Sequence, residues 1–128
     1  MKKIILMILL FSIFLVSACS DNDGSGAVNS VENYIVAFAD KNKSQVIALS
    51  CKEWEESASL EVDALMSVDA TVVDLNCDIT GEAGDDTFVA CSGSLDLTYE
   101  DEIRAIDLSR RTYTVRQEDG QWRICSYK

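Results

Sequence analysis

The stretch that decides the fold is residues 71–99, which read TVVDLNCDITGEAGDDTFVACSGSLDLTY. Apolar and polar residues alternate on both sides of a turn sequence at Gly81–Asp86. This period of two is typical of strands that bury one face. The pattern therefore predicts an antiparallel hairpin, with a bulge or bend at Gly93 in the second strand. The buried faces are predicted to carry Val73, Leu75, Cys77 and Ile79 on the first strand and Val89, Cys91, Leu95, Leu97 and Tyr99 on the second.

Three helices are predicted before the hairpin. Apolar residues with helical spacing run from Val28 to Phe38, and Asn29 with Glu32 forms a capping pair near the start. Ser44 is expected to cap a short second helix, and Ser50–Glu53 has the spacing of a capping box that opens a third. The apolar stripe of the third helix consists of Trp54, Ala58, Val62 and Leu65.

Two more strands are predicted after the hairpin. The third strand begins at Ile106, but its later apolar residues, Tyr113 and Val115, have the opposite parity, which indicates a bulge near Ser109. The turn sequence Glu118–Gly120 leads into the last strand. The sequence therefore predicts an α+β domain, in which three N-terminal helices pack in a curved, four-stranded antiparallel sheet.

Four of the five cysteines lie in the predicted domain, and four cysteines allow three pairings. Cys77 and Cys91 are equally far from the centre of the hairpin turn, which favours a Cys77–Cys91 disulfide and leaves Cys51 to pair with Cys125. Cys125 has the opposite parity to its apolar neighbour Ile124, so this second pairing requires a twist at the strand end or an Ile124 that faces away from the helices. A zinc site is the rival interpretation, but the two-residue spacing of typical zinc ligands is absent. We expect no metal and no cofactor.

Residues 1–18 are predicted to be a signal peptide. Lys2 and Lys3 precede an apolar run, Ile4–Val16, which is shorter than the roughly twenty residues of a membrane-spanning helix. The run leads into Val-Ser-Ala-Cys at Val16–Cys19, which resembles the lipobox of bacterial lipoprotein precursors. The resemblance implies lipid attachment to the Cys19 sulfur, cleavage before Cys19, and a domain anchored on the extracytoplasmic side of the cell envelope. An ordinary signal peptide, with Cys19 left as a thiol, is the alternative.

The Gly-, Ser- and Asp-rich residues 19–26 are predicted to be a flexible tether, and residues 27–128 a single domain. A second interpretation of the tether is a calcium loop, because five of its residues and neighbours have EF-hand spacing. These residues are Asp21, Asp23, Ser25, Gly26 and Glu32. The incoming helix of an EF-hand has no counterpart, so the sequence leaves calcium binding as an open alternative.

The composition of the chain argues against two classes of function, nucleic-acid binding and catalysis. The chain has 128 residues, with 11 basic and 22 acidic side chains, and its net charge is −11. Such a surface repels phosphate backbones, so we expect no nucleic-acid partner. Histidine is absent, which removes the usual general base at neutral pH. We therefore predict that the protein is not an enzyme.

Residues 27–128 resemble the nuclear transport factor 2-like, or cystatin-like, cone. The resemblance rests on the long first helix, the short Ser44–Leu49 helix, the third helix, and long strands that end in Asp119–Ile124. Members of this family include ketosteroid isomerases, polyketide cyclases and small bacterial lipoproteins. The resemblance implies a cavity between helices and sheet.

The cavity implied by this resemblance would bind an unknown apolar ligand or an envelope protein. Its lining would come from six residues, which are Tyr34, Phe38, Trp54, Leu97, Tyr99 and Tyr113. An isomerase- or cyclase-like enzyme is the alternative, with candidate groups at Asp40, Asp96, Asp107, Tyr99 and Tyr113. Asp96 and Asp107 have parities opposite to their apolar neighbours, so we expect them to point away from the cavity.

Overall fold

The structure is a computed structural model that describes residues 24–128. Its first part consists of three helices, α1 (Ser25–Ala39), α2 (Lys43–Ala48) and α3 (Glu55–Ala64). Within residues 24–128, no helix is both long enough and apolar enough to cross a membrane. The predicted signal peptide and Cys19 lie outside the described residues.

One antiparallel sheet follows the helices. Its strands are β1 (Asp69–Ala83), β2 (Asp86–Tyr99), β3 (Glu102–Asp107), β4 (Thr112–Glu118) and β5 (Gln121–Tyr127). The order is β1-β2-β4-β5, and β3 pairs with the C-terminal half of β2 beyond the part that pairs with β4. The α+β class is as predicted, but the sheet has five strands rather than four.

The extra strand arises where the sequence predicts a bulge. The chain makes a 3-10 turn at Leu108–Arg110, which separates β3 from β4. The carboxylate of Asp107 accepts hydrogen bonds from the Ser109 backbone N–H at 2.9 Å and from the Ser109 hydroxyl at 2.7 Å. Leu108 is buried in the core. The parity change near Ser109 is therefore a complete strand break, because a capped turn occupies the position of the expected bulge.

The hairpin of β1 and β2 has Cys77 directly opposite Cys91. Val73 pairs with Ser94 and Asn76 with Ser92, so two β1 residues face the single residue Gly93. This β-bulge reverses the parity of β1 before Asp74. Val72 packs against the core in place of Val73, which is partly exposed. An irregularity is present at Gly93 as predicted, but its extra residue lies in β1 and not in the second strand, and the uninterrupted alternation predicted for β1 is wrong.

The helices begin at different residues from those predicted. α1 starts at Ser25, so Ser25 and Gly26 belong to a helix and not to the predicted tether, residues 19–26. Asn42, rather than Ser44, caps α2 by accepting from the Gln45 backbone N–H. Ser50 does not cap α3, because it is buried, forms a bridge with Ile124 and donates its hydroxyl proton to a backbone carbonyl.

The core lies between the helices and one face of the sheet. α1 packs against β1, β2, β4 and β5, and α2 packs against both other helices. The largest fully buried side chains include Tyr113, Leu95, Leu108 and Ile124. Two disulfides join the elements around this core, Cys77–Cys91 within the hairpin and Cys51–Cys125 between the α2–α3 connection and β5. This is the pairing that the strand pattern favours.

A bulge in β5 explains why Cys125 is buried although its parity is opposite to that of Ile124. Tyr113 pairs with Tyr127 and Thr114 with Ser126, but the next β4 residue pairs with Ile124. Cys125 is therefore an extra residue at a bulge in β5, and both it and Ile124 are buried. The twist expected at the strand end is this bulge.

Candidate functional site

A narrow opening lies between the C-terminal end of α1, α3 and the helix-facing side of the sheet. We call it the central cleft. Its lining consists of Tyr34, Ile35, Phe38, Glu61, Leu95, Leu108, Arg111, Tyr113 and Tyr127. The free space inside is about 10 Å³. A volume of this size holds at most one water molecule, so the interior of the domain is filled by its own side chains.

The structure brings together four of the six predicted lining residues. Tyr34, Phe38 and Tyr113 line the central cleft. Trp54 joins them because its indole N–H donates a hydrogen bond of 3.1 Å to the Tyr34 hydroxyl. Leu97 and Tyr99 lie elsewhere, in a separate groove, so their assignment to the central cavity is wrong. The helices do not cover the end of β2, and Tyr99 is 57% exposed.

Six residues of the cleft are absent from the predicted lining, and three of them, Glu61, Arg111 and Tyr127, form a connected group. The hydroxyl of Tyr127 donates a hydrogen bond of 2.8 Å to the Glu61 carboxylate. The Arg111 guanidinium lies 4.5 Å from the centre of the Tyr127 ring, which is a cation–π contact. A signal for Glu61 exists, because it follows Trp54 by seven residues and Ala58 by three, which places it beside the apolar stripe of α3.

Burial keeps the tyrosine hydroxyls of the cleft neutral. Desolvation raises the pKa of Tyr34 and of Tyr113 above the ordinary value. Desolvation, together with the hydrogen bond to Glu61, raises the pKa of Tyr127 to about 12. The Tyr127 hydroxyl, which donates to Glu61, therefore stays protonated to higher pH than an ordinary tyrosine. The group holds α3 against β5 and closes the cleft.

We expect alkaline titration to destabilise the domain through this group. A pKa raised in the folded state favours the protonated form, so the stabilisation is complete below pH 10 and is lost as pH rises through about 12. In a Tyr127→Phe variant the free energy of unfolding should fall less steeply over that range. Absorbance at 295 nm and urea unfolding at pH 9, 10, 11 and 12 would measure the effect, with Tyr99→Phe as the control. A Tyr127→Phe variant that follows the parent at every pH would contradict this assignment.

The carboxylates proposed for the enzyme alternative do not line the central cleft. Asp107 is exposed, and its hydrogen bonds from Ser109 lower the pKa of its carboxyl group. Asp96 accepts a hydrogen bond of 2.7 Å from the Ser94 hydroxyl, and Asp40 is exposed at the end of α1. Among the cleft-lining residues that the structure describes, Glu61 is the one carboxylate, and its partner is Tyr127.

The residues considered for metal binding are engaged in other interactions. Within residues 24–128, potential ligand atoms of Cys51, Glu118 and Cys125 lie within 4.8 Å of one another, but the two sulfurs form a disulfide. For the calcium hypothesis, Asp21 and Asp23 lie outside the described residues. The remaining part, Ser25–Glu32, is helical instead of wrapping around an ion, and Glu32 accepts a hydrogen bond from the Cys77 backbone N–H. The structure therefore contradicts an EF-hand loop over these residues.

The second groove lies at the end of the sheet farthest from the β1–β2 turn. We call it the distal groove. It is lined by Val68, Leu97, Tyr99, Glu102 and Arg104, and it has an open volume of about 280 Å³. On the opposite face of β3, Ile103 is 70% exposed. Apolar side chains thus reach solvent at this end of the domain, beside acidic residues.

No protein-family model and no curated protein matches this chain. Several solved structures match it in shape. A designed nuclear transport factor 2-like protein is 9% identical, with a TM-score of 0.52 over 84% of this chain and 98% of that one. The domain has a nuclear transport factor 2-like fold.

Two natural proteins share this shape. A SEC-C motif-containing protein of Rhodopseudomonas palustris is 10% identical, with a TM-score of 0.52 over 77% of this chain and 74% of that one. The helical cell shape determining protein of Campylobacter jejuni is 12% identical, with a TM-score of 0.52 over 77% of this chain. The match spans 38% of the length of that protein. Identities this low establish the fold alone.

Proposed function

We propose that this protein is a lipoprotein of the bacterial cell envelope, anchored by acyl chains on Cys19, whose domain binds an envelope partner without transforming it. The observation that carries the proposal is Val16–Cys19, the lipobox-like sequence that follows the apolar run of the signal peptide. The chemistry requires a thiol at this position, because the lipid is attached through a thioether. Two or three acyl chains give stable attachment where one chain would not.

Features of the domain support this proposal. Disulfides persist in the oxidising compartments outside the cytoplasm, and all four domain cysteines are paired. The first turn of α1 packs closely on β5, and a Cβ placed on Gly26 would lie only 2.5 Å from the Trp122 ring. A lipid on Cys19 would therefore be joined by a short segment to a firmly packed helix.

The geometry favours a protein partner over a buried apolar ligand. A ligand inside the cone would need several hundred Å³, and the central cleft offers about 10 Å³. Catalysis inside the cone would meet the same barrier, because no substrate fits between Glu61 and the tyrosines. Binding at the surface, without chemistry, requires no such opening.

We expect Cys19→Ala to abolish lipid attachment. In bacteria fed an alkyne-labelled palmitate, the parent chain should carry the label and sediment with membranes, whereas the variant should be unlabelled and should leave the membrane fraction or accumulate uncleaved. Ser20→Ala, which alters the neighbouring residue and retains the thiol, is the matched control and should behave as the parent does. Mass spectrometry of the mature amino terminus completes the test. An unacylated native terminus, with unchanged fractionation of the Cys19→Ala variant, would refute the proposal.

A further inference from the structure

Strand β3 has one free edge. In the described part of the chain it pairs with β2 alone. The two strands are joined by Glu100 and Asp101, which both have positive φ, at 45° and 68°. This is the conformation of a two-residue hairpin turn, in which the flanking pair, Tyr99 and Glu102, is hydrogen-bonded. The backbone groups of Ile103 and of every second residue after it therefore point outward, where they can pair with another strand.

The side chains around this edge offer both apolar and acidic contacts. The apolar part of the lining of the distal groove consists of Val68, Leu97 and the exposed Tyr99. Ile103, on the other face of β3, is 70% exposed. An extended segment that adds to β3 places alternate side chains on the two faces, and each face here presents an apolar residue.

In the anchored protein of the proposed function, on which this step rests, β3 lies on the side of the domain that faces away from the membrane. A partner that binds β3 would therefore approach from that side. Gly24, at the start of α1, lies beside Glu82, Gly84 and Asp85 in the β1–β2 turn. Cys19 precedes Gly24 by five residues, a reach of at most about 18 Å. β3 pairs with Ser94–Tyr99, which begin eight residues after the start of β2, a contour length of roughly 26 Å from that turn. An anchored domain therefore presents β3 away from the lipid.

The charge around the free edge of β3 distinguishes between a second copy of this chain and a basic segment of another protein as the binding partner. A second copy of the chain would bring the same acidic residues to this edge, and each chain carries a net charge of −11. Glu100, Asp101 and Glu102 form an acidic run at the turn, against the single arginine, Arg104, within β3. A basic segment is complementary to this surface, whereas a second copy is repelled.

We propose that β3 and the distal groove bind an extended, cationic segment of another envelope protein, which adds a strand to the sheet and inserts an apolar side chain into the groove. Backbone hydrogen bonds along β3 would supply affinity. The groove and the acidic run would select for alternating apolar and basic residues.

A synthetic peptide tests the proposal on the full chain, purified in non-ionic detergent micelles. The probe is acetyl-Lys-Val-Lys-Phe-Lys-Val-Lys-amide, followed by fluorescence anisotropy and by hydrogen–deuterium exchange. We expect saturable binding and slower exchange confined to β3. The same peptide with alternate backbone nitrogens methylated should bind at least tenfold more weakly, because it cannot complete the strand pairing. A peptide with glutamate in place of lysine should not bind.

Variants of the chain locate the surface. A Tyr99→Ser, Ile103→Ser double variant should weaken binding of the lysine peptide at least tenfold. Val36→Ser, at a 44% exposed apolar position on α1, is the matched control and should leave binding unchanged. Near-ultraviolet circular dichroism would establish that each variant is folded.

Four outcomes would overturn the inference. They are no saturable binding up to about 1 mM peptide, equal binding of the methylated peptide, protection outside β3, and concentration-dependent dimerisation that protects β3 without peptide. The test is independent of the anchor. An unacylated chain that binds the peptide would refute the lipoprotein proposal alone, and an acylated chain that does not bind it would refute this inference alone.

Discussion

Removing the Cys51–Cys125 disulfide should lower the free energy of unfolding by about 4.5 kcal/mol, and removing Cys77–Cys91 by about 3 kcal/mol. The difference follows from loop length, because the first disulfide spans 74 residues and the second spans 14. A crosslink that closes a longer loop removes more conformational entropy from the unfolded chain. Urea unfolding of the Cys51→Ala, Cys125→Ala and Cys77→Ala, Cys91→Ala double variants measures both losses.

The two double variants control for each other. All four cysteines are buried, with at most 5% exposure, so the packing lost on truncation to alanine is similar in the two pairs. The difference in unfolding free energy between the two double variants therefore measures the effect of loop length. Equal losses, or a larger loss for Cys77–Cys91, would show that loop closure does not dominate, and non-reducing peptide mapping of the parent would identify the pairs present.

The hairpin could be predicted because two local signals agree. The period-two pattern marks both strands, and the turn between them sets the register that pairs Cys77 with Cys91. The first residues of the helices could not be predicted, because several residues near each start can act as the N-cap. Ser50 has the right spacing to cap α3, but the bridge to Ile124 holds it in an extended connection. A contact with the far end of the chain thus overrides the local preference.

The central cleft was predictable only in its apolar part. Tyr34, Phe38 and Tyr113 follow from their positions on apolar faces. Glu61 and Arg111 are charged, and their places in the cleft depend on the aromatic ring of Tyr127 between them. Helical spacing places Glu61 beside the apolar stripe of α3, but its contact with Tyr127 requires the docking of α3 on β5, which no periodicity encodes.

The bulge opposite Gly93 depends on a residue without a side chain. Gly93 has φ of +99°, a conformation that L-residues with a Cβ rarely adopt. A Cβ at this position would also lie 2.5 Å from the carbonyl oxygen of Asp74, and backbone atoms of β1 cannot move aside without breaking the pairing. Strain and steric overlap therefore act together at Gly93.

We expect Gly93→Ala to destabilise the domain by about 3 kcal/mol or more. Gly84→Ala is the matched control, because Gly84 also has positive φ, at +60°, but has open space where a Cβ would be. Gly84→Ala should therefore lose only the free energy of placing a Cβ in the left-handed conformation, about 1–2 kcal/mol. Urea unfolding of both variants measures the difference. Equal losses of unfolding free energy in the two variants would mean that β1 and β2 can separate at the bulge at no cost. The parity reversal at Asp74 would then not be fixed by close packing at Gly93. A larger loss at Gly93 would identify the bulge as a fixed part of the sheet, on which the burial of Val72 in place of Val73 depends.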